Sequence, residues 1–549
     1  MQKLKYLLIL VISPVILTFS QEFKIHSYDY TYDAALKMQT SGKISMSKLF
    51  YRPIERTTLS SILSDIKSKE EEILLIEKRL TDTSSSINSK FATESTKSLH
   101  NYFFDDSPSN LFSFQDDLIT IRINPILSQQ IVLGNNNSNR LSSLITSYGG
   151  KLNFSYSNWL KIDFRAWNGI ASGDKSLTLL DEKVRHSYTY NITEIENFDG
   201  TEGTLTIGGE HIKLSFGRER LMWGNSNLNR LIFDSTAQVF DYLSLSFEYG
   251  IFDYKFLHGW LVEKPDTVII KRTGLSATYK NPKYIAFSRL GLSPTSSVYL
   301  GISQTIIYAN RPLEAGYLNP LIFYESVQRS LNDLDNSFLS LDIAWRVIDG
   351  AVAYGTLMLD DINFNHWLKG DWATSSNSSL YQFGVRFSDL IFRTNSLVEV
   401  EYTVLRPFAL SHPGFESALS YTNNGYQMVT GIPPNSSCIT FSLNTNPYND
   451  VNINLRTDFL KHGNNLYDSE GTLLINYGAN PFYSRDLYTP YLAPLHQGII
   501  EYVVNTQLKI TYHISYNMLC GINFLSNSLK SQSEKKTFNT ITFNINFFR

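Results

Sequence analysis

From about Asp117 to Arg549, apolar and polar residues alternate with a period of two, the spacing of a β-strand with one dry and one wet face. Leu152, Phe154 and Tyr156 alternate with Asn153, Ser155 and Ser157. Leu160, Ile162, Phe164 and Ala166 alternate with Lys161, Asp163, Arg165 and Trp167. The same pattern recurs at Leu205 and Ile207, at Leu243 to Tyr249 and at Val451 to Leu455, each closed by turn residues such as Gly208-Gly209. Before this region, Gln21 to about Pro108 changes to helical spacing. Tyr32, Ala35, Leu36 and Gln39 share a face ahead of Gly42, and Leu59, Ile62, Leu63 and Ile66 share another behind Thr57 and Thr58. Ile73, Ile76 and Leu80 form the apolar side of a charged third helix, and Thr81 to Thr96 reads as a linker.

The start of the chain bears on where these strands reside. Lys3 and Lys5 precede an apolar run from Tyr6 to Phe19, which reads as a secretory signal peptide over residues 1–20. No later stretch approaches the roughly 20 apolar residues of a spanning helix, so any membrane crossing must be made by strands. The expected organisation is a signal peptide (1–20), a helical periplasmic region with its linker (21–108) and an all-β, transmembrane antiparallel β-barrel (109–549). Allowing about 10 residues per strand plus turns and loops, the last region holds on the order of 16 to 18 strands, and we take 18.

Composition sharpens this picture. Charged residues are only 18% of the chain and aromatics 13%, with 33 Tyr and 34 Phe, as interfacial girdles require. Aromatics stand at strand ends, including Tyr156, Trp159, Tyr249, Phe252, Tyr254 and Tyr512. Ile541, Phe543, Ile545 and Phe547 alternate with polar residues in a closing strand that resembles the terminal assembly signal of outer-membrane barrels, although Arg549 follows Phe548. A formal charge of -3 offers no field to attract nucleic acid. The two cysteines, Cys438 and Cys520, exclude a disulfide scaffold and read as free thiols.

The densest chemistry is Gly217-Arg218-Glu219-Arg220-Leu221-Met222-Trp223-Gly224-Asn225, continuing through Arg230 to Asp234. Guanidinium forks pair with carboxylates and an indole offers a flat face to a pyranose ring, so the run suits an acidic sugar. It equally suits an internal salt-bridge network bracing the lumen. A second run carries Arg311, Glu325, Asp335 and Arg346, and its carboxylates lack the spacing of a calcium loop. No GxSxG, HExxH or phosphate loop stands out, the ten histidines are scattered, and no catalytic residue, metal or cofactor is expected. A lumen lined by Lys161, Asp163, Arg165, Glu248, Arg456 and Asp458 is what a porin or solute channel also requires.

The order GRERLMWGNSNLNRLIFD (Gly217 to Asp234), FDYLSL (Phe240 to Leu245), RPLEAGYLNPLIFYE (Arg311 to Glu325), DNSFLSLDIAWR (Asp335 to Arg346) and YGTLMLDD (Tyr354 to Asp361) resembles the capsule-assembly Wzi family of outer-membrane proteins. The chain is similar to the branch with an added segment of the type YTNNGY (Tyr421 to Tyr426). That resemblance implies an 18-stranded barrel with a periplasmic helical bundle, acting as a non-enzymatic lectin that holds capsular polysaccharide on the cell surface. The candidate ligand-binding residues are then Arg218, Arg220, Trp223, Asn225, Arg230, Arg311, Glu325, Asp335 and Arg346. The implied partners are capsular or surface polysaccharide, outer-membrane lipid and an envelope or capsule-export protein, for a chain acting as a monomer. The alternative function remains a porin or solute channel.

Overall fold

The computed structural model describes residues 31–55 and most of 110–547, with short strand segments at 24–25 and 93–96. Its centre is a closed 18-strand antiparallel barrel. In chain order the strands are β1 (Ile119–Asn136), β2 (Asn139–Tyr156), β3 (Leu160–Gly173), β4 (Ile195–Gly208), β5 (Ile212–Glu219) and β6 (Phe240–Tyr249). They continue as β7 (Phe252–Val262), β8 (Pro282–Thr295), β9 (Val298–Ala309), β10 (Asn336–Ile348), β11 (Ala351–Asp360) and β12 (Ser378–Ser388). The last six are β13 (Asn395–Leu405), β14 (Ser436–Tyr448), β15 (Val451–Asn464), β16 (Ile499–Ser515), β17 (Met518–Lys530) and β18 (Lys535–Phe547). β18 closes the ring on β1, with Phe543 opposite Ile131 and Phe547 opposite Leu127.

Side-chain parity is continuous around the ring. Ile131, Phe164, Leu290, Leu341, Phe459 and Phe543 all face outward and are exposed, while their polar neighbours turn inward. An exposed apolar belt of this size on a closed barrel marks a lipid-facing wall, so the chain is a transmembrane barrel of outer-membrane type. Among the described residues no helix is long and apolar enough to cross a membrane. Trp159, Tyr249, Phe252 and Tyr512 are exposed beside short turns and form an aromatic girdle. Tyr254 departs from it, because its hydroxyl donates to the Pro320 carbonyl.

The connections differ at the two ends. Those from β2 to β3, β4 to β5, β6 to β7, β8 to β9, β10 to β11 and β14 to β15 are tight, whereas most at the opposite end are long. Short turns mark the periplasmic end and long loops the extracellular one. Helix α1 (Thr31–Thr40) docks across the periplasmic end with its predicted face, Tyr32, Ala35, Leu36 and Gln39, fully buried. The docking is polar at its rim. Lys37 Nζ lies 3.2 Å from Asp389, Gly350 N–H donates to Thr40 O at 2.9 Å, and Met46 N–H donates to Ser296 O at 3.1 Å. The candidate signal peptide and the helices expected near 59–66 and 73–80 lie outside the described residues. Thr93–Thr96, at the end of the segment read as a linker, is a short strand paired with Phe112–Gln115.

Beyond α1 the chain turns up into the lumen, where Tyr51–Arg52 pairs antiparallel with Met222–Trp223 of the β5–β6 loop. That loop and the β13–β14 loop fold inward. Together they build a core in which Phe50, Trp223, Leu231, Phe233, Tyr421 and Val429 pack against inward side chains such as Phe287 and Tyr354. The β3–β4 loop enters beside them, seating Leu177 and Val184 against Val132, Ile145 and Phe198. A lumen packed in this way is a globular interior enclosed by a membrane wall.

Candidate functional site

The run from Gly217 to Asp234 divides at the rim of the barrel. Arg218 ends the outward row of β5 and makes a bidentate pair with Asp241 on the outer surface, at 2.7 and 2.6 Å. Beyond it the chain dives inward. Trp223 is buried, with its ring edge-on to Tyr51 at 5.2 Å and to Phe233 at 5.0 Å. Asn225 donates to Asp342 at 3.1 Å. Arg230 is 1% exposed and lies 3.7 Å from Asp234. The wall carboxylate Glu401 holds this loop, accepting from Ser226 at 2.5 Å and Asn229 at 2.7 Å, and it also accepts from Tyr354 of β11 at 2.8 Å. Sequence density of Arg, Trp and Asn does not separate a brace from a binding surface, because both need donors aimed at carboxylates.

The second run does not join the first. Arg311 pairs with Asp335 at 2.7 and 2.5 Å, and Tyr317 also donates to Asp335, at 2.7 Å, clasping the ends of the β9–β10 loop. Glu325 accepts from Arg329 one helical turn later at 3.1 Å. Arg346 sits at the opposite, periplasmic end, where it donates to Gln39 O and Ile44 O at 3.2 Å each and anchors the chain after α1. The nine candidates therefore occupy the outer rim, the lumen core, the outer wall and the periplasmic end, and form no single surface.

One member of the set, Arg220, belongs to a junction of three extracellular loops. It donates to Glu182 at 2.9 Å, at the start of helix α2 (Glu182–His186) in the β3–β4 loop. Arg185 approaches the same carboxylate at 3.8 Å and donates to His186 Nε2 at 3.3 Å. Tyr426, from the YTNNGY hairpin, donates to Arg185 O at 3.3 Å and sets its ring 5.0 Å from His186. The hairpin is pre-set by Asn424 and Gly425, both at positive φ (48° and 84°), the requirement of a tight two-residue turn. Asp181 caps α2 by accepting from Lys183 N–H and Val184 N–H at 2.8 and 3.2 Å. Burial, reinforced by Arg220 and Arg185, pushes the His186 imidazole down to about 3, so it is neutral at neutral pH. The junction thus sets two guanidinium groups against one carboxylate, with a half-buried phenol ring against the neighbouring His186. Guanidinium forks of this kind are chemically suited to carboxylates and a tyrosine ring to a sugar face. Glu182, Arg185 and His186 were not singled out in the sequence. Only the YTNNGY segment pointed there.

A separate cavity of about 170 Å³ opens toward the periplasmic end, between Trp223, Tyr51, Glu219, Lys213, Glu248 and Asp253. Lys48 and Glu248 pair across its edge at 3.3 Å. His462 Nδ1 bonds Ser436 Oγ at 2.8 Å, and Ser436 is 0% exposed. Cys438 and Cys520 are free thiols. Among the described residues no three His, Cys, Asp or Glu side chains gather as metal ligands.

No protein-family model and no curated protein matches the chain. Among solved structures it is similar to Wzi, an outer-membrane protein involved in group 1 capsule assembly in Escherichia coli and described as a carbohydrate-binding β-barrel. The match has a TM-score of 0.57 at 10% identity and covers 96% of this chain and 100% of Wzi. The Pseudomonas aeruginosa barrel opdK matches at a TM-score of 0.42 with 8% identity, covering 78% of this chain and 98% of its own. OprD from the same organism matches at 0.38 and 8%, covering 77% and 94%.

Proposed function

We propose that this barrel resides in the outer membrane and binds capsular or surface polysaccharide at its extracellular mouth, assisting capsule attachment without catalysing a reaction. The observation that carries this reading is the three-loop junction, in which Arg185 and Arg220 meet a single acid, Glu182, and Tyr426 sets its ring beside them on His186. Loops folded for transport would leave a water path. Here the β5–β6 and β13–β14 loops pack into the lumen around Trp223 and Tyr421, which favours binding over diffusion. The similarity in fold to a carbohydrate-binding barrel supports the same reading. Of the nine sequence candidates, Arg220, 9% exposed, is the one we assign to sugar contact, with the buried Trp223 and Arg230 and the part-buried Asn225 as its framework. The chain acts as a monomer, and the α1 end is where an envelope or capsule-export protein would meet it.

The test is binding of the purified, detergent-solubilised barrel to immobilised uronate-containing and neutral polysaccharides. The reading expects preference for the acidic glycan and loss of binding in the Arg185→Ala/Arg220→Ala variant with heat-modifiable folding retained. Equal binding by the variant, or ohmic single-channel conductance with no glycan binding, would turn the assignment to a channel.

A further inference from the structure

The loop joining β9 and β10 leaves the extracellular rim in an unusual direction. The outward positions of β7, β8 and β9 are set by their pairing with the exposed belt, in which Leu290 lies opposite Ile302 and Ile302 opposite Leu341. On the same faces, Phe256, His258, Ala286, Ile306 and Tyr308 should be exposed to lipid. They are instead 0 to 3% exposed. What covers them is the loop itself, whose Tyr317, Tyr324 and Val327 pack onto Ala286, Ile306 and Tyr308. The loop has folded back down the outside of the barrel and carries helix α3 (Tyr324–Leu331) with it.

Its depth follows from Gln304, which points outward and donates to Ile322 O at 2.8 Å while accepting from Tyr324 N–H at 2.9 Å. Gln304 lies midway along β9, five residues from Ala309. At about 3.3 Å per residue and a strand tilt near 40°, that is roughly 13 Å below the outer end, close to the middle of the hydrocarbon layer. Irregular backbone at that depth persists only if protein groups satisfy it. The wall supplies them. Tyr254 donates to Pro320 O, Gln304 serves both groups flanking Phe323, and Asn319 accepts from Leu321 N–H at 3.0 Å within the loop. This explains why Gln304, Ser288 and His258 stand on a wall that elsewhere is Leu, Ile and Phe.

The loop's far side is apolar. Leu321 is 89% and Phe323 54% exposed, with Leu313 and Leu331 also exposed, and they continue the belt formed by Leu290 and Ile302. We propose that this segment is a membrane-immersed flap and that acyl chains of the outer leaflet are its partner, meeting Leu321 and Phe323 where the strands β7 to β9 do not. Arg329, exposed near the upper end of α3 and paired with Glu325 at 3.0 Å, reaches the headgroup level. The flap replaces a polar stretch of wall with a lipid-compatible one and is clasped at the rim by Arg311 and Asp335.

The test uses the full-length barrel in phospholipid vesicles, with Cys438 and Cys520 replaced by alanine and a nitroxide spin label at Leu321→Cys. Collisions with oxygen, which concentrates in hydrocarbon, are compared with those of a water-soluble nickel chelate. Ile302→Cys reports the lipid belt and Glu470→Cys the aqueous loops. The flap predicts loss of chelate collisions to the level at Ile302→Cys, with oxygen collisions retained. Chelate collisions at the level of Glu470→Cys would place the segment in water and overturn the proposal. Loss of both would mean protein cover, such as a second copy of the chain, and would equally overturn it. Phe323→Cys reads the same face should Leu321→Cys fail to fold.

Discussion

Replacing Arg289 with methionine probes the packing of the lumen at its most charged point. The guanidinium is 0% exposed and pairs with Asp342, whose side chain is also 0% exposed, through Nη2–Oδ1 at 2.6 Å and Nε–Oδ2 at 3.1 Å. It further donates to Tyr51 at 3.0 Å and Tyr299 at 2.5 Å, and it lies 3.7 Å from the Phe50 ring centroid. Methionine keeps much of the volume but leaves the Asp342 carboxylate buried without a counter-charge. Breaking one side of a buried pair costs about 3–5 kcal/mol, or roughly two to four powers of ten in an equilibrium constant. The ring of strands does not depend on this contact, whereas the seating of Phe50 and Tyr51 does, so the penalty falls on docking of the N-terminal segment. Trypsin cleavage after Lys48, measured where opening is fast relative to cutting, reports that docking equilibrium. Cleavage should accelerate by at least about a hundredfold in Arg289→Met and recover in part in Arg289→Met/Asp342→Leu, which removes both charges. A cleavage rate within about threefold of the parent in the single variant would mean that the pair contributes little to docking.

Other outcomes follow from the same geometry. Trp223→Ala removes a buried indole packed on Tyr51, Phe233 and Phe287 and should lower stability by about 3–5 kcal/mol. It should leave glycan binding by the folded fraction unchanged, as checked by urea unfolding and surface binding side by side. Asp181→Ala deletes the cap of α2 and should loosen the loop by about 1 kcal/mol, seen as faster hydrogen exchange at Lys183 and Val184. His186 is held down to about 3 in the folded loop against an ordinary value near 6.5. Its contribution is therefore complete above pH 6.5 and declines as pH falls toward 3, by about 1.4 kcal/mol per unit. Hydrogen exchange over 182–187, corrected for its intrinsic rate, should rise with acidity in the parent and stay flatter in His186→Gln.

The barrel was legible because lipid and lumen impose opposite demands on alternate residues. Phe164 faces out and Lys161 and Arg165 face in, as their parity requires, and the closing strand from Ile541 to Phe547 pairs with β1. The face of α1 was equally plain, since Tyr32, Ala35, Leu36 and Gln39 can all be buried only together. Loop direction was not legible. The run holding Arg230 and Trp223 turns inward and the run holding Arg311 and Glu325 turns outward, yet both are mixtures of Arg, Asn, Leu and aromatic residues. What decides between them lies on the wall, in Glu401 on the inner face and Gln304 on the outer. Glu401 stands 175 positions from Ser226 and Gln304 stands 18 from Ile322, so neither pairing falls within the short-range pattern of a strand or helix. The three-loop junction was hidden for the same reason, because Arg220 and Glu182 meet only after two strands have formed.

Whether the mouth of the barrel holds polysaccharide is decided by the partition of surface glycan between cells and medium. In a strain lacking the protein but with unchanged total synthesis, glycan should move from the cell-bound to the released fraction. The parent chain should return it, and Arg185→Ala/Arg220→Ala, present at equal level in the membrane, should not. An unchanged partition on deletion, or full restoration by that variant, would contradict the account.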